Sequence, residues 1–180
     1  QNPNQDSNIL TTIANTATAP LDVTVSFSPS ATTGTGTVTG FQLLRDGVAV
    51  ATDGLVTSID DTAPAGGTTY AYTVKALGTH GNSVASASSS VTTPNTPAQV
   101  TGLTVTPVST SRIDLSWNTP SDNNSLISQY KVQISSNGGS SYTDVLTGNV
   151  NTVYQSLSLS GNAQYHYKVS AINGVGTGTA

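Results

Sequence analysis

Few residues of this 180-residue chain have the types and spacing that do chemistry. Asp60-Asp61 is an adjacent carboxylate pair, and paired carboxylates are the equipment for acid/base cleavage of glycosides. Neighbours on a strand point to opposite faces, however, so these two cannot address one bond, and a turn or corner role suits them better. His80 falls in a loop and His166 on the outer face of a strand, neither with an evident acid partner. Serines are abundant, but none sits in the glycine-flanked elbow that activates a nucleophile. Asp60 or Asp61 with loop carbonyls could offer oxygens to calcium, yet no dense Asp loop surrounds them. With no cysteine and two histidines, zinc has no ligand set. The reading is a non-enzyme with no catalytic residue, cofactor or metal.

Four other motifs carry weaker signals. Asn123-Asn124-Ser125 is an N-glycosylation acceptor pattern in a loop. Arg45-Asp46-Gly47 is not the Arg-Gly-Asp order of adhesive loops and reads as a tight hairpin turn. Pro94-Asn95-Thr96-Pro97 has a proline-recognition spacing but reads as a stiff connector. Tyr142 and Tyr154 break the inward alternation of their segments, which makes them the exposed candidates for stacking on a sugar.

The elements that must position these residues repeat. Tyr70, Tyr72, Val74 and Ala76 alternate with polar residues, and Tyr165, Tyr167, Val169 and Ala171 do the same about 95 residues later. Each ladder predicts a strand with one buried face, late in a domain of about 90 residues. In the second half, Val100 to Thr106, then Ile113, Leu115 and Trp117, then Tyr130, Val132 and Ile134, predict three strands. Tyr142 to Leu146, Val153 to Leu159 and Tyr165 to Ala171 complete six. In the first half Val23, Val25 and Phe27 stand where Ile113, Leu115 and Trp117 stand, and Phe41 and Leu43 match Tyr130 and Val132. The predicted core is therefore Phe27, Phe41, Tyr70, Tyr72, Trp117, Tyr130, Leu159, Tyr165 and Tyr167.

Composition agrees. All nine acidic residues are aspartate, methionine is absent, and Ser plus Thr number 54, so strand and turn formers dominate over helix formers. Charged residues are 8% and the net charge is −4. Such a surface is solvated by hydroxyls and amides and lacks the basic clusters that draw nucleic acid or anionic lipid. No apolar run is long enough to insert in a membrane.

The second half, from Ala98, resembles a fibronectin type III domain. The resemblance rests on Trp117 in the second strand, Tyr130 opening the third, Leu159 six residues before Tyr165 as in that family's tyrosine corner, and the run Tyr-x-Tyr-x-Val-x-Ala-x-Asn-Gly at 165–174. The first half is similar but degenerate: Phe27 replaces the Trp and Pro64 takes the corner's Leu position. The resemblance implies an all-β chain of two antiparallel immunoglobulin-like sandwiches in tandem, of the kind found in bacterial or viral surface proteins. The boundaries read as 1–93, a proline-rich linker at 94–98, and 99–180. The second sandwich reads as lacking its last strand, whereas the first keeps its own at Val84 to Thr92. The gap would be filled by continuation of a longer chain or by a strand donated from another molecule. Ser7 to Ile13 is a conceivable donor and aligns equally well as the first domain's opening strand.

The function expected is a non-catalytic spacer or presentation segment of a larger extracellular, cell-surface or virion protein, each sandwich adding roughly 35 Å. The alternatives are a self-assembling filament or virion subunit completed by a donated strand, and a carbohydrate-binding accessory module. Partners would be proteins or neighbouring subunits, or a polysaccharide held by Tyr142 and Tyr154.

Overall fold

The computed structural model describes residues 12–14, 21–29, 36–62 and 64–180. The chain divides into two compact units, Gln1–Pro94 and Asn95–Ala180. Every regular element among the described residues is a strand. Unit 1 contains β1 (Thr12–Ala14), β2 (Val23–Ser26), β3 (Val38–Arg45), β4 (Val48–Asp53), β5 (Ser58–Asp61), β6 (Thr69–Gly78) and β7 (Ser89–Thr92). Unit 2 contains β8 (Thr101–Ser109), β9 (Arg112–Asn118), β10 (Gln129–Ser135), β11 (Thr143–Asn149), β12 (Val153–Ser156) and β13 (His166–Ile172).

Each unit is a pair of antiparallel sheets. They run β1-β2-β5 and β4-β3-β6-β7 in unit 1, and β12-β9-β8 and β11-β10-β13 in unit 2. Thr12 to Ala14 pair with Ser26 to Thr24, so this stretch is an opening strand of its own unit. Residues 7–11 of the conceivable donor segment lie outside the described residues.

Two-residue periodicity assigns the cores. In unit 1, Val23, Val25 and Ile59 of one sheet meet Phe41, Leu43, Tyr72, Val74 and Ala76 of the other. In unit 2 the facing sets are Leu115 and Trp117 against Tyr130, Val132, Val169 and Ala171. Phe27 and Phe41 pack edge-to-face with centroids 4.9 Å apart, and the equivalent Trp117 and Tyr130 do so at 5.4 Å. Each buried side chain of this size contributes about 1.5–3 kcal/mol by leaving water. Tyr70 and Tyr167 are partly buried against their cores, and Leu159 and Tyr165 are half-buried.

Of the strands that differ in extent from the sequence expectation, three do so for a clear local reason. The first strand of unit 2 runs on to Ser109, and the register shifts between Thr101 and Thr104, where Gly102 takes a φ of +65°. Its alternation is thereby broken, and Val105 and Val108 are exposed. The strand starting at Val153 stops at Ser156 rather than Leu159, two residues before Ser158 adopts a φ of +59°. In unit 1, regular pairing with β6 begins only at Ser89. Ahead of it Ser83 and Ser86 run beside the same strand, their amides donating to the Ala76 and Val74 carbonyls while their hydroxyls accept from the Ala76 and Val74 amides.

The stretch read as a linker is hydrogen-bonded on both sides of residue 94. The Thr93 and Pro94 carbonyls accept from Gly67 N, while Asn95 N donates to the Asn123 carbonyl and Ala98 N to that of Ser121. Asn173 closes this end of unit 2. Its Nδ2 donates to the carbonyls of Asn95, Asp122 and Ser125 at 2.7, 3.1 and 3.2 Å, and its Oδ1 accepts from the Val175 and Gly176 amides. Asn173 is buried, so truncation strands several polar groups away from water. Asn173→Ala is expected to destabilise unit 2 by about 2–4 kcal/mol, measured by urea denaturation followed through Trp117 fluorescence.

Candidate functional site

Asp60 and Asp61 do face opposite ways. Asp60 accepts from Thr24 Oγ1 at 2.7 Å on the outer face of β5, and Asp61 turns inward and is buried. Arg45 closes the inward series Phe41, Leu43, Arg45 on β3 and reaches across the sandwich, placing Nη1 2.7 Å from Asp61 Oδ2. The hydroxyl of Tyr72, wholly buried on β6, donates to the same oxygen at 2.7 Å. Arg45 also lies over the Tyr70 ring, 5.0 Å from its centroid. The group therefore ties one sheet to the other. Burial, then the bond and charge of Asp61, push the Tyr72 hydroxyl well above its ordinary value. For Arg45, burial opposes the charge, but the proximity and hydrogen bond of Asp61 leave the guanidinium raised. Arg45 Nη1 and the Tyr72 hydroxyl converge on Asp61 Oδ2, which is the geometry of a clasp between the sheets.

Register identifies its counterpart in unit 2. Val23 pairs with Asp61 and Arg45 with Tyr72, while Ile113 pairs with Ser156 and Ile134 with Tyr167. Asp61, Arg45 and Tyr72 are thus replaced by Ser156, Ile134 and Tyr167. The Tyr167 hydroxyl has no hydrogen-bond partner among the described residues, and burial raises its pKa against a smaller opposing influence of Ser156. The sequence reading treated Arg45 as part of a turn. The missed signal was parity: an inward carboxylate two residues after Ile59 requires an inward cation, and Arg45 is two residues after Leu43.

The remaining sites fall out as follows. Asp46 and Gly47 form the tight turn with φ of +51° and +82°, and Asp46 Oδ1 accepts from Ala71 N. His80 is exposed and contacts Thr79 Oγ1; His166 is half-buried, with Nε2 unpartnered among the described residues. Asn123, the glycosylation candidate, donates its amide nitrogen to the Thr96 carbonyl at 2.8 Å, so the acceptor atom is engaged. The two candidate sugar contacts, Tyr142 and Tyr154, are both half-buried. Tyr142 lies against the ammonium of Lys168 on β13 at 4.2 Å, whereas Tyr154 belongs to the β12-β9-β8 sheet, packs against the core and points its hydroxyl to the Val145 carbonyl. No group of three His, Cys, Asp or Glu among the described residues could hold a metal ion.

A further feature of unit 2 is the side of β13 turned away from β10. Beyond the Ile172–Thr177 bridge and the bond from Gly178 N to the Ala171 carbonyl, no described strand pairs with it there. A groove of about 330 Å³ is lined by Pro107, Ile113, Leu159, Ser160, Asn162, Ala163 and Tyr165 among others. Its floor is the tyrosine corner: Tyr165 Oη accepts from Ser160 N at 2.9 Å, as Tyr70 Oη accepts from Ala65 N at 3.1 Å in unit 1.

Comparison with a family model agrees with the architecture of unit 2. Residues 98–180 match the family model described as fibronectin type III domain. No curated protein matches the chain. Among solved structures the chain is similar to the chicken CNTN1 FN1-FN3 domains, with 18% identity over 99% of this chain and a TM-score of 0.44. It is also similar to titin domains A168-A170, with 21% identity over 88% and a TM-score of 0.46. A third likeness is to the titin kinase and its flanking domains, with 28% identity over 47% and a TM-score of 0.44. The chain spans 65%, 55% and 16% of those three chains.

Asp61→Asn keeps the volume of the clasp but removes its charge. It is expected to destabilise unit 1 by about 2–4 kcal/mol, somewhat below the cost of breaking a fully buried pair because Arg45 is 28% exposed. Calorimetry of the whole chain checks this, with the unit 2 transition identified by Trp117 fluorescence. A second prediction concerns alkali. The Tyr72 pKa is raised in the fold above its ordinary value of 10.0, so its neutral hydroxyl contributes stability that is complete below pH 10 and lost as pH climbs through the raised value. Unit 1 should therefore weaken progressively above pH 10, and Tyr72→Phe should flatten that slope in a pH series of thermal melts.

Proposed function

From a chain whose residues 98–180 match the fibronectin type III family, we propose a non-catalytic spacing and presentation segment of a larger extracellular, cell-surface or virion protein. Fibronectin type III domains are characteristically structural or linking modules of larger proteins, are characteristically non-catalytic, and often mediate protein interactions. The observation that carries the reading is the Asp61–Arg45–Tyr72 clasp. Among the described residues, this buried ionic group links the two sheets of unit 1 through Asp61 Oδ2. Low charge supports it as well, because a surface of hydroxyls and amides interacts weakly with passing macromolecules and changes little with salt.

The alternative of strand-mediated assembly would use a sheet edge, whose backbone donors and acceptors an extended strand can pair. Polysaccharide binding through Tyr142 has less support, because its ring already contacts Lys168 and Tyr154 lies in the other sheet.

Force spectroscopy on the tethered chain tests the spacer reading. Two separate unfolding events are expected, each lengthening the chain by about 28 nm, the extended span of some 90 residues less the folded length. A single event, or extension without a resolvable barrier, would count against a load-bearing role. Turnover of a generic ester or glycoside by the intact chain would overturn the non-catalytic assignment.

A further inference from the structure

Two asparagines of unit 2 are each followed by glycine, Asn137-Gly138 and Asn173-Gly174, and the sequence has no other such pair. In such a pair the glycine nitrogen can add to the side-chain amide carbon of the preceding asparagine, because no Cβ shields that nitrogen. The structure holds the two side chains in different circumstances. Asn173 is buried, and its Nδ2 donates to three carbonyls. That anchorage opposes loss of the nitrogen. A Cβ on Gly174 would lie 3.5 Å from Ser125 Oγ, so the neighbouring backbone is packed as well.

Asn137 lies in the connection between β10 and β11, and both it and Gly138 are exposed. Gly138 takes a φ of +72°, a Cβ there would meet nothing within 4 Å, and its amide donates to no acceptor among the described residues. The nucleophile is therefore unshielded and unengaged. Asn137 Oδ1 accepts from Ser135 Oγ at 2.8 Å and from Ser141 N at 3.0 Å, while Nδ2 donates to a single acceptor, Ser141 Oγ, at 2.7 Å. Gly139 N donates to Ser135 Oγ at 3.0 Å, so the serine accepts on one side and gives its own proton to Oδ1. Two donors converging on a carbonyl oxygen stabilise the oxyanion that forms when a nucleophile adds to its carbon. Asn173 Oδ1 also accepts two amides, so the sites differ in burial and in the hold on the leaving nitrogen.

We propose that Asn137 is a site of self-modification, at which Gly138 N closes a succinimide on the Asn137 side chain and water reopens it to aspartate or isoaspartate. In the closing step Gly138 N bonds to Asn137 Cγ and gives up its proton to solvent. The Cγ–Nδ2 bond breaks, and the nitrogen takes up a proton and leaves as ammonia. Water then adds to one of the two imide carbonyls. Breaking the bond from Gly138 N to Cγ gives aspartate, and breaking the bond from Gly138 N to the main-chain carbon of Asn137 gives isoaspartate. No electrons are exchanged. Either product puts a carboxylate at the tip of the β10–β11 connection, and isoaspartate also lengthens the main chain there by one methylene.

The test is incubation of the intact 180-residue protein at neutral pH, folded and in guanidinium chloride, with conversion at Asn137 and Asn173 followed separately by peptide mass spectrometry. In the folded protein Asn137 is expected to convert at least tenfold faster than Asn173, and faster than Asn137 itself in denaturant, where the two rates converge. Ser135→Ala removes one donor from Oδ1. It should slow folded Asn137 at least tenfold and leave the denatured rate unchanged, whereas Ser135→Thr, which keeps the hydroxyl, should restore the rate. The Asn173 rate in each variant reports whether unit 2 is still folded. If Ser135→Ala unfolds it, the wild-type comparison of folded and denatured rates decides alone. Equal folded rates at the two asparagines overturn the proposal. A folded Asn137 rate below the denatured one, or acceleration by Ser135→Ala with Asn173 still slow, overturns it too, because the serines then restrain the side chain.

Discussion

The rest of each unit depends on one constraint, the two-residue period of the ladder strand, β6 in unit 1 and β13 in unit 2. In β6 the residues that face the core, Tyr72, Val74 and Ala76, are the same residues whose amides and carbonyls point toward the neighbouring exit segment. Core packing and edge recognition therefore share one register. A slip of one residue would expose the aromatic ladder and present the wrong backbone groups to the edge at the same time. Burial of Val25, Leu43 and Ala76 and of their counterparts Leu115, Val132 and Ala171 holds that register far more firmly than hydrogen bonds alone.

The two units solve the same packing problem with different chemistry. Unit 2 places Trp117 against Tyr130 and leaves Ile134, Ser156 and Tyr167 at the cross-sheet position. Unit 1 has the smaller Phe27 against Phe41 and holds the same position with Asp61, Arg45 and Tyr72. A buried ion pair contributes little net stability against a well-packed apolar alternative, but losing one partner is costly. Its consequence in unit 1 is specificity of register: Asp61 can be satisfied only if β5, β3 and β6 are all correctly aligned. The second ion pair among the described residues, Arg112 with Asp114, lies on one strand and has no such consequence. The hydrogen bonds of Arg112 hold the Asp114 carboxyl below the usual carboxylate range without linking one element to another.

How much was legible follows from what each feature depends on. The all-β class and the repeat lie in local alternation and composition, so Tyr70 to Ala76 and Tyr165 to Ala171 disclosed them directly. Tyr154 reads locally as breaking the inward alternation, whereas in the fold it packs partly buried against the core. Its cross-strand partner is the buried Leu115, a pairing that no local pattern states. The clasp was half-visible, since the inward parity of Asp61 could be read but its partner is 16 residues away on the other sheet. The groove at the corner could not be read at all. It depends on Ser158 and Asn162 adopting positive φ, which their residue types permit but do not require.

Hydroxyl groups explain how so sparsely charged a chain finishes its edges. A serine hydroxyl both donates and accepts and can turn to suit its neighbours. Ser83 Oγ accepts from Ala76 N while donating to the Val84 carbonyl, and Ser86 Oγ accepts from Val74 N while donating to that of Ala87. These side chains let an irregular segment satisfy β6 where no regular ladder forms. The counterpart of Ser83 in unit 2 is Gly178, which keeps the backbone bond to Ala171 but has no hydroxyl to offer. The same edge is therefore closed in unit 1 by side-chain hydroxyls, whereas at the Gly178 position unit 2 meets the Ala171 carbonyl with a backbone amide alone.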